Sequence, residues 1–180
     1  MRRALSQEEQ LEATRAVCAQ LLRTPAFMQA GTVMAYMAAR GELSLAPLLE
    51  ELLSTGRALC LPCCEGSGRM SARRVTALSQ LAPGAYGLPE PGEGCPAIAP
   101  EAIDLVLVPG TAFDVRGGRI GQGGGYYDRF LPQTRAYRIG VCHEFALLER
   151  LPLQAHDQIM DAVIRPSGLI AVHEYRRTEQ

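Results

Sequence analysis

Four glycines crowd into five positions at Gly121-Gln122-Gly123-Gly124-Gly125, after an apolar run at residues 105–108 that ends in Pro109-Gly110 and ahead of a helix-like turn starting near Tyr126. Few backbones suit such a sequence. Without a Cβ the loop takes positive φ at no cost and lets several N–H groups converge on an anion at close range. Delivered at a helix N-terminus, those amides form a phosphate site from local physics. Arg119 offers a planar fork to phosphate oxygens, Asp128 a carboxylate for a divalent cation bridging them, and Tyr126 and Tyr127 hydroxyls and ring faces. The same residues also describe a glycine-rich surface turn in which Arg119 and Asp128 form a solvated pair. Two familiar nucleotide motifs are excluded. The Walker loop needs a lysine and the chain has none, and the dinucleotide fingerprint needs glycine where Tyr126 stands.

The rest of the chain alternates elements. Ser6-Gln7-Glu8-Glu9 has the spacing of a capping box and opens a helix carrying Leu11, Val17, Cys18, Leu21 and Leu22 before Pro25. Residues 32–37 read as a strand, 44–55 as an amphipathic helix ended by Gly56, 57–61 as a second strand and 70–75 as a third. Prolines and glycines crowd residues 82–100, which read as loop. Residues 104–108 form an apolar strand before the glycine loop. A helix begins near Tyr126, strands follow at 137–142, 162–165 and 169–172, and a short helix is expected near 145–150. This pattern predicts one α/β domain over residues 1–180, an open, mostly parallel sheet flanked by helices with a glycine-rich phosphate-binding loop. Ligands of such sheets gather beyond the carboxyl ends of strands, where Pro109 and Met37 fall.

A net charge of -1 with mixed signs gives no reason to expect nucleic acid or a membrane surface as partner. No run approaches ~18 apolar residues and the N-terminus carries no apolar signal region, so the expectation is a cytoplasmic protein. All 18 basic side chains are arginine, which excludes lysine Schiff-base chemistry and leaves any triphosphate to arginine and backbone. Cys60-Leu61-Pro62-Cys63 has the spacing of half a zinc site or of a redox pair. No second close pair completes four ligands, and its apolar setting also suits small buried hydrophobes. His143, His156 and His173 are scattered.

Residues 109–131 resemble the signature of the 5-formyltetrahydrofolate cyclo-ligase family, also called 5,10-methenyltetrahydrofolate synthetase. That signature is roughly Pro-Gly-x-x-Phe-Asp, then Arg-x-Gly-x-Gly-x-Gly-Tyr-Tyr-Asp-Arg, and every fixed position is met. Gly41-Glu42 within residues 36–45, the segment Tyr86-Gly87-Leu88-Pro89-Glu90-Pro91, and His156-Asp157 through Asp161 are similar to further family segments, in the family's order. The resemblance implies an enzyme that uses ATP and Mg2+ to convert 5-formyltetrahydrofolate, polyglutamylated or not, into 5,10-methenyltetrahydrofolate, ADP and phosphate. It implies Arg119 and Tyr126 as catalytic residues. ATP would be held by Arg119, Gly121, Gln122, Gly123, Gly124, Gly125, Tyr126 and Tyr127, and Mg2+ by Asp128 and Asp157. Folate would meet Met37, Glu42, Tyr86 and the loop from Gln122 to Tyr126, with the Glu42 carboxylate matching the amino and N–H edge of the pterin. A monomer or weak dimer is expected.

Two departures accompany the resemblance. Family members carry a basic helix that contacts ATP ahead of the segment matching Ser6-Gln7-Glu8-Glu9, where here only Met1-Arg2-Arg3-Ala4-Leu5 stands. Arg2 and Arg3 are the residues expected to serve ATP instead. The alternatives are a natural start further upstream and a non-catalytic folate- or nucleotide-binding relative with an incomplete ATP site. Ala72 stands where the family tends to a larger apolar side chain, which is expected to loosen the substrate pocket.

Overall fold

Ser6 opens the first helix as its spacing predicts. Its hydroxyl accepts the Glu9 N–H at 3.1 Å while its own N–H donates to the Glu9 carboxylate at 2.8 Å, so α1 runs Gln7–Leu21 and buries Val17, Cys18 and Leu21. Thr24 then caps a short second helix, α2, Pro25–Gln29, with proline in its first turn. The computed structural model describes residues 5–39 and 41–172. Arg2, Arg3 and His173 lie outside the described residues.

Eight strands form the main sheet: β1 Thr32–Met34, β2 Ala58–Cys64, β3 Met70–Val75, β4 Ala97–Ile98, β5 Leu105–Pro109, β6 Tyr137–Val141, β7 Ala162–Arg165 and β8 Gly168–Ala171. Their order is β8-β7-β6-β5-β1-β2-β3-β4. The five strands from β7 to β2 pair in parallel, while β8 on one edge and β3 and β4 on the other are antiparallel. This is the open, mostly parallel sheet that the alternation of elements predicts. The side-chain period of two sends Val33, Leu59, Leu105, Leu107 and Ile139 toward α1 and α3, Ala46–Ser54. Met34, Cys60, Val106, Val108 and Val163 face the other way, toward Phe113, Phe130 and Leu131. From β1 the chain crosses to β2 on one side, and from β5 through α4, Tyr126–Phe130, to β6 on the other. The switch point of the sheet therefore lies between the carboxyl ends of β1 and β5.

Several boundaries differ from the sequence reading. The strand expected at 32–37 ends at Met34, and Met37 lies beyond it. β2 extends through Pro62 to Cys64, so the Cys60-to-Cys63 spacing belongs to a strand. Cys60 is a buried thiol that burial pushes up to about 12. The segment at 82–100 is not all loop, because Leu81–Pro83 and Pro89–Pro91 form a small hairpin and β4 adds an edge strand. Prolines are tolerated at such margins, where no ladder N–H is required. No α-helix forms at 145–150. Glu144–Ala146 is a single 3-10 turn, and Leu147–Leu148 pairs in parallel with Ala112–Asp114. A run this short cannot nucleate a helix alone, and the ladder offers its backbone other partners.

Ala112–Asp114 also pairs antiparallel with Arg119–Ile120, completing a three-stranded sheet absent from the sequence reading. Phe113 wedges it against the main sheet: a Cβ on Gly110 would lie 2.7 Å from the ring, and one on Gly140 would also run into it. Arg119 is thereby fixed at the mouth of the switch point. Among the described residues no helix is long and apolar enough to cross a membrane.

Candidate active site

A cleft of about 1070 Å³ opens at the switch point. Apart from Arg2 and Arg3, every candidate named from the sequence lines it, from Met37, Glu42 and Tyr86 through residues 119 and 121–128 to Asp157. The glycine loop forms its floor, and its glycines serve different ends. Gly123 and Gly125 take φ of +89° and +64°, a region other residues enter only with strain. Gly121 and Gly124 are required for space, since a Cβ would fall 2.6 Å from the Arg119 guanidinium and 2.7 Å from the Tyr126 ring. Arg129 secures the loop from outside, donating to the Gly124 carbonyl and, at 2.7 Å, to that of Gly68 in the turn between β2 and β3.

Arg119 and Asp128 meet as an ion pair, with one guanidinium nitrogen 2.8 Å from each carboxylate oxygen. The Arg119 side chain is 4% exposed and that of Asp128 19%, so the surface-turn reading, with a solvated pair, fails on burial. Arg119 Nε and the Tyr127 hydroxyl are both buried without a hydrogen-bond partner among the described residues. Burial raises the Tyr127 phenol, against the opposing pull of the Arg119 charge. Buried polar groups without a partner are unusual in native proteins, and these two stand beside the cleft.

On the opposite wall, Glu42 accepts the Ala39 N–H at 2.9 Å and the Gln122 amide at 2.8 Å, joining the loop after β1 to the glycine loop. Met37 is half-buried beside it. Tyr86 roofs the cleft from the hairpin loop, with φ of +57° and 78% exposure. Its hydroxyl lies 2.9 Å from that of Tyr126, and the rings meet edge to face at 6.1 Å. That hydrogen bond, with burial, pushes the Tyr126 phenol up to about 12, so Tyr126 stays protonated at neutral pH. Cys64 also lines the cleft, and burial pushes it up to about 11, which keeps it a thiol.

Asp157 accepts the Gln154 N–H at 2.7 Å and stands 3.7 Å from the exposed imidazole of His156. Asp161, in the same acidic segment, is absent from the lining; its carboxylate accepts the Arg138 N–H. Ala72 is also absent from it. It is buried in β3 on the Phe130 side of the sheet, so its small size does not loosen this cleft. Two residues without a role in the sequence reading complete the frame. Asp114 is a buried carboxylate accepting three backbone N–H groups, and Glu90 braces the roof. The cue for Asp114 was its fixed place in the glycine-loop signature.

A mostly parallel sheet with its cleft at the switch point, floored by glycines and lined by a buried arginine–carboxylate pair, is the architecture of an α/β ligand-binding fold. The 5-formyltetrahydrofolate cyclo-ligase family model matches residues 1–166. The chain is 31% identical over 172 residues to the 5-formyltetrahydrofolate cyclo-ligase of Escherichia coli (strain K12), covering 92% of this chain and 94% of that protein. The NMR structure of Aquifex aeolicus 5,10-methenyltetrahydrofolate synthetase is 37% identical, with a TM-score of 0.84 over 93% of this chain and 85% of that one. A synthetase structure from Mycoplasma pneumoniae, 20% identical, shares the fold with a TM-score of 0.73 over 91% and 90%. The chain belongs to the 5-formyltetrahydrofolate cyclo-ligase family, ligases of folate one-carbon metabolism.

Proposed function

We propose that the cleft takes ATP and 5-formyltetrahydrofolate together and converts them to 5,10-methenyltetrahydrofolate, ADP and phosphate. The observation that carries this reading is that one continuous cleft holds both sets of groups. Arg119, the glycine loop, Asp128 and Asp157 line it together with Met37, Glu42 and Tyr86. A formyl oxygen is a poor leaving group. Transfer of the γ-phosphoryl group to it makes that oxygen part of a phosphate. Folate nitrogen 10 then attacks the formyl carbon and gives up its proton, the carbon–oxygen bond breaks, and phosphate departs with the electron pair.

Phosphoryl transfer asks the protein mainly for alignment and charge neutralisation. Arg119 sits buried, where its charge is weakly screened, and its unpaired Nε faces no competing acceptor. The loop amides of residues 121–125 would cradle the phosphates. Tyr126, protonated, is a donor for the formyl oxygen. Mg2+ suits the donor set, because it takes one or two carboxylates and completes its shell with water and substrate phosphates. Asp128 and Asp157 both line the cleft and each keeps acceptor capacity beyond its present hydrogen bonds. When bound, the ion would neutralise phosphate charge. Glu42 would receive the pterin edge once Gln122 yields its hydrogen bond.

The test is the absorbance of methenyltetrahydrofolate on mixing the protein with 5-formyltetrahydrofolate and MgATP. Product should form only when both substrates are present, with one ADP per ring closed. Product without ATP, or binding of both without turnover, would reject the reading. Within it, Glu42→Gln should raise the KM for folate about tenfold, as expected for one lost charge-assisted hydrogen bond, with the KM for ATP within about twofold. An amide reproduces only one of the two acceptor oxygens. Equal effects on both substrates would make Glu42 a strut for Gln122 instead.

A further inference from the structure

Glu90 sits in the proline-rich stretch, and neither the reaction nor the cleft chemistry uses its charge directly. Its two carboxylate oxygens accept N–H groups from separate parts of the chain. Oε2 takes that of Cys64 at the end of β2, at 2.9 Å, and Oε1 takes that of Ala85 in the roof loop, at 3.0 Å. Ala85 immediately precedes Tyr86, whose left-handed backbone and hydroxyl contact with Tyr126 set the roof. The neighbouring Gly84 leaves room for this carboxylate, since a Cβ there would lie 2.6 Å from both Cβ and Cδ of Glu90. Gly84 has φ of -111° and ψ of -162°, which other residues adopt freely, so its lack of a side chain answers to Glu90 and not to the backbone.

We infer that Glu90 is a positioning residue for folate: it staples the loop bearing Tyr86 to the end of β2 and so holds the tyrosine over the ligand. This rests on the reading that Tyr86 covers bound folate. A carboxylate is suited to the task because it presents acceptors only. A glutamine would turn an amide N–H toward one of the two backbone donors. Loosening the roof acts on folate and not on ATP, whose glycine loop is secured independently by Arg129.

The chain has no tryptophan, so Tyr86→Trp provides a single fluorescent reporter in the roof. In that background Glu90→Gln should lower the anisotropy of the ligand-free protein, and Gly84→Ala, which displaces Glu90 without altering its charge, should do the same. With Tyr86 intact, either change should raise the KM for folate about tenfold, with kcat and the KM for ATP within about twofold. In a Tyr86→Ala background Glu90→Gln should add less than about twofold, because the two residues act as one unit. Unchanged anisotropy in both variants overturns the staple. Lower anisotropy with an unchanged folate KM overturns the positioning role. Should folate leave the reporter's signal unaltered while Glu90 is intact, the assignment of Tyr86 to folate is what fails, separately from the staple.

Discussion

Replacing Arg119 with alanine is expected to lower kcat/KM for ring closure by about 100-fold or more. The guanidinium is almost wholly buried, one nitrogen holds both oxygens of Asp128 at 2.8 Å, and Nε has no partner among the described residues. Charge building on the transferred phosphoryl group would meet this cation in a poorly screened setting. Alanine removes the cation and also releases Asp128, so the carboxylate proposed for the metal loses its fixed direction. Asp128 is 19% exposed, so water can take over part of the lost contact, and the variant is expected to stay folded with a small fall in Tm. Arg119→Lys should recover no more than about tenfold, because an ammonium cannot reproduce the planar fork. Steady-state kinetics with both substrates varied, beside circular dichroism, checks the expectation. A folded alanine variant within tenfold of the parent would reduce Arg119 to a strut for Asp128.

The parts of this site that could be read from the sequence are those whose chemistry is contiguous along the chain. The glycine loop announces itself because positive φ and close approach both demand glycine, and Arg119, Tyr126 and Asp128 lie within a few residues of it. Glu42 and Tyr86 had no such signal. Glu42 is brought to the glycine loop by its hydrogen bond to Gln122, and Tyr86 by its contact with Tyr126, contacts that only the fold creates. Family resemblance supplied them where the local sequence offered no cue. The main sheet was legible because buried parallel strands are continuous apolar runs. The three-stranded sheet was not, since elements such as Arg119–Ile120 are too short to carry a period. The expected helix at 145–150 failed for the related reason that a few apolar residues fit a turn and a ladder equally well. Glu90 stayed hidden because an acid in a loop looks solvent-facing until its backbone donors are known, and Asp114 had only its fixed place in the signature to single it out.

Asp114→Ala is expected to be the most damaging change to stability among residues around the cleft, at about 3 to 5 kcal/mol. Asp114 is 1% exposed. Its Oδ1 accepts the N–H of Arg116 at 2.9 Å and of Gly118 at 2.7 Å, and its Oδ2 that of Leu151 at 2.9 Å. Alanine removes the acceptor of the Gly118 and Leu151 N–H groups, whose contacts are buried, and there each unmet donor costs about 1 to 3 kcal/mol. Against a typical total of about 5 to 15 kcal/mol, such a loss is a large fraction of the stability. Asparagine keeps one acceptor, which can retain the turn at 114–118, but sets its amide against the Leu151 N–H, so Asp114→Asn should cost about 2 kcal/mol. Urea unfolding should show the midpoint falling in the order parent, asparagine, alanine, with little change in m. The asparagine variant carries the functional consequence. Leu151 leads into the segment bearing Asp157, and Asp114 also fixes the strand that presents Arg119. Folded Asp114→Asn protein is therefore expected to need more Mg2+ for half-maximal activity while its folate KM stays near the parent value. If its Mg2+ requirement is unchanged, the Leu151 contact does not position Asp157, and Asp114 serves stability alone.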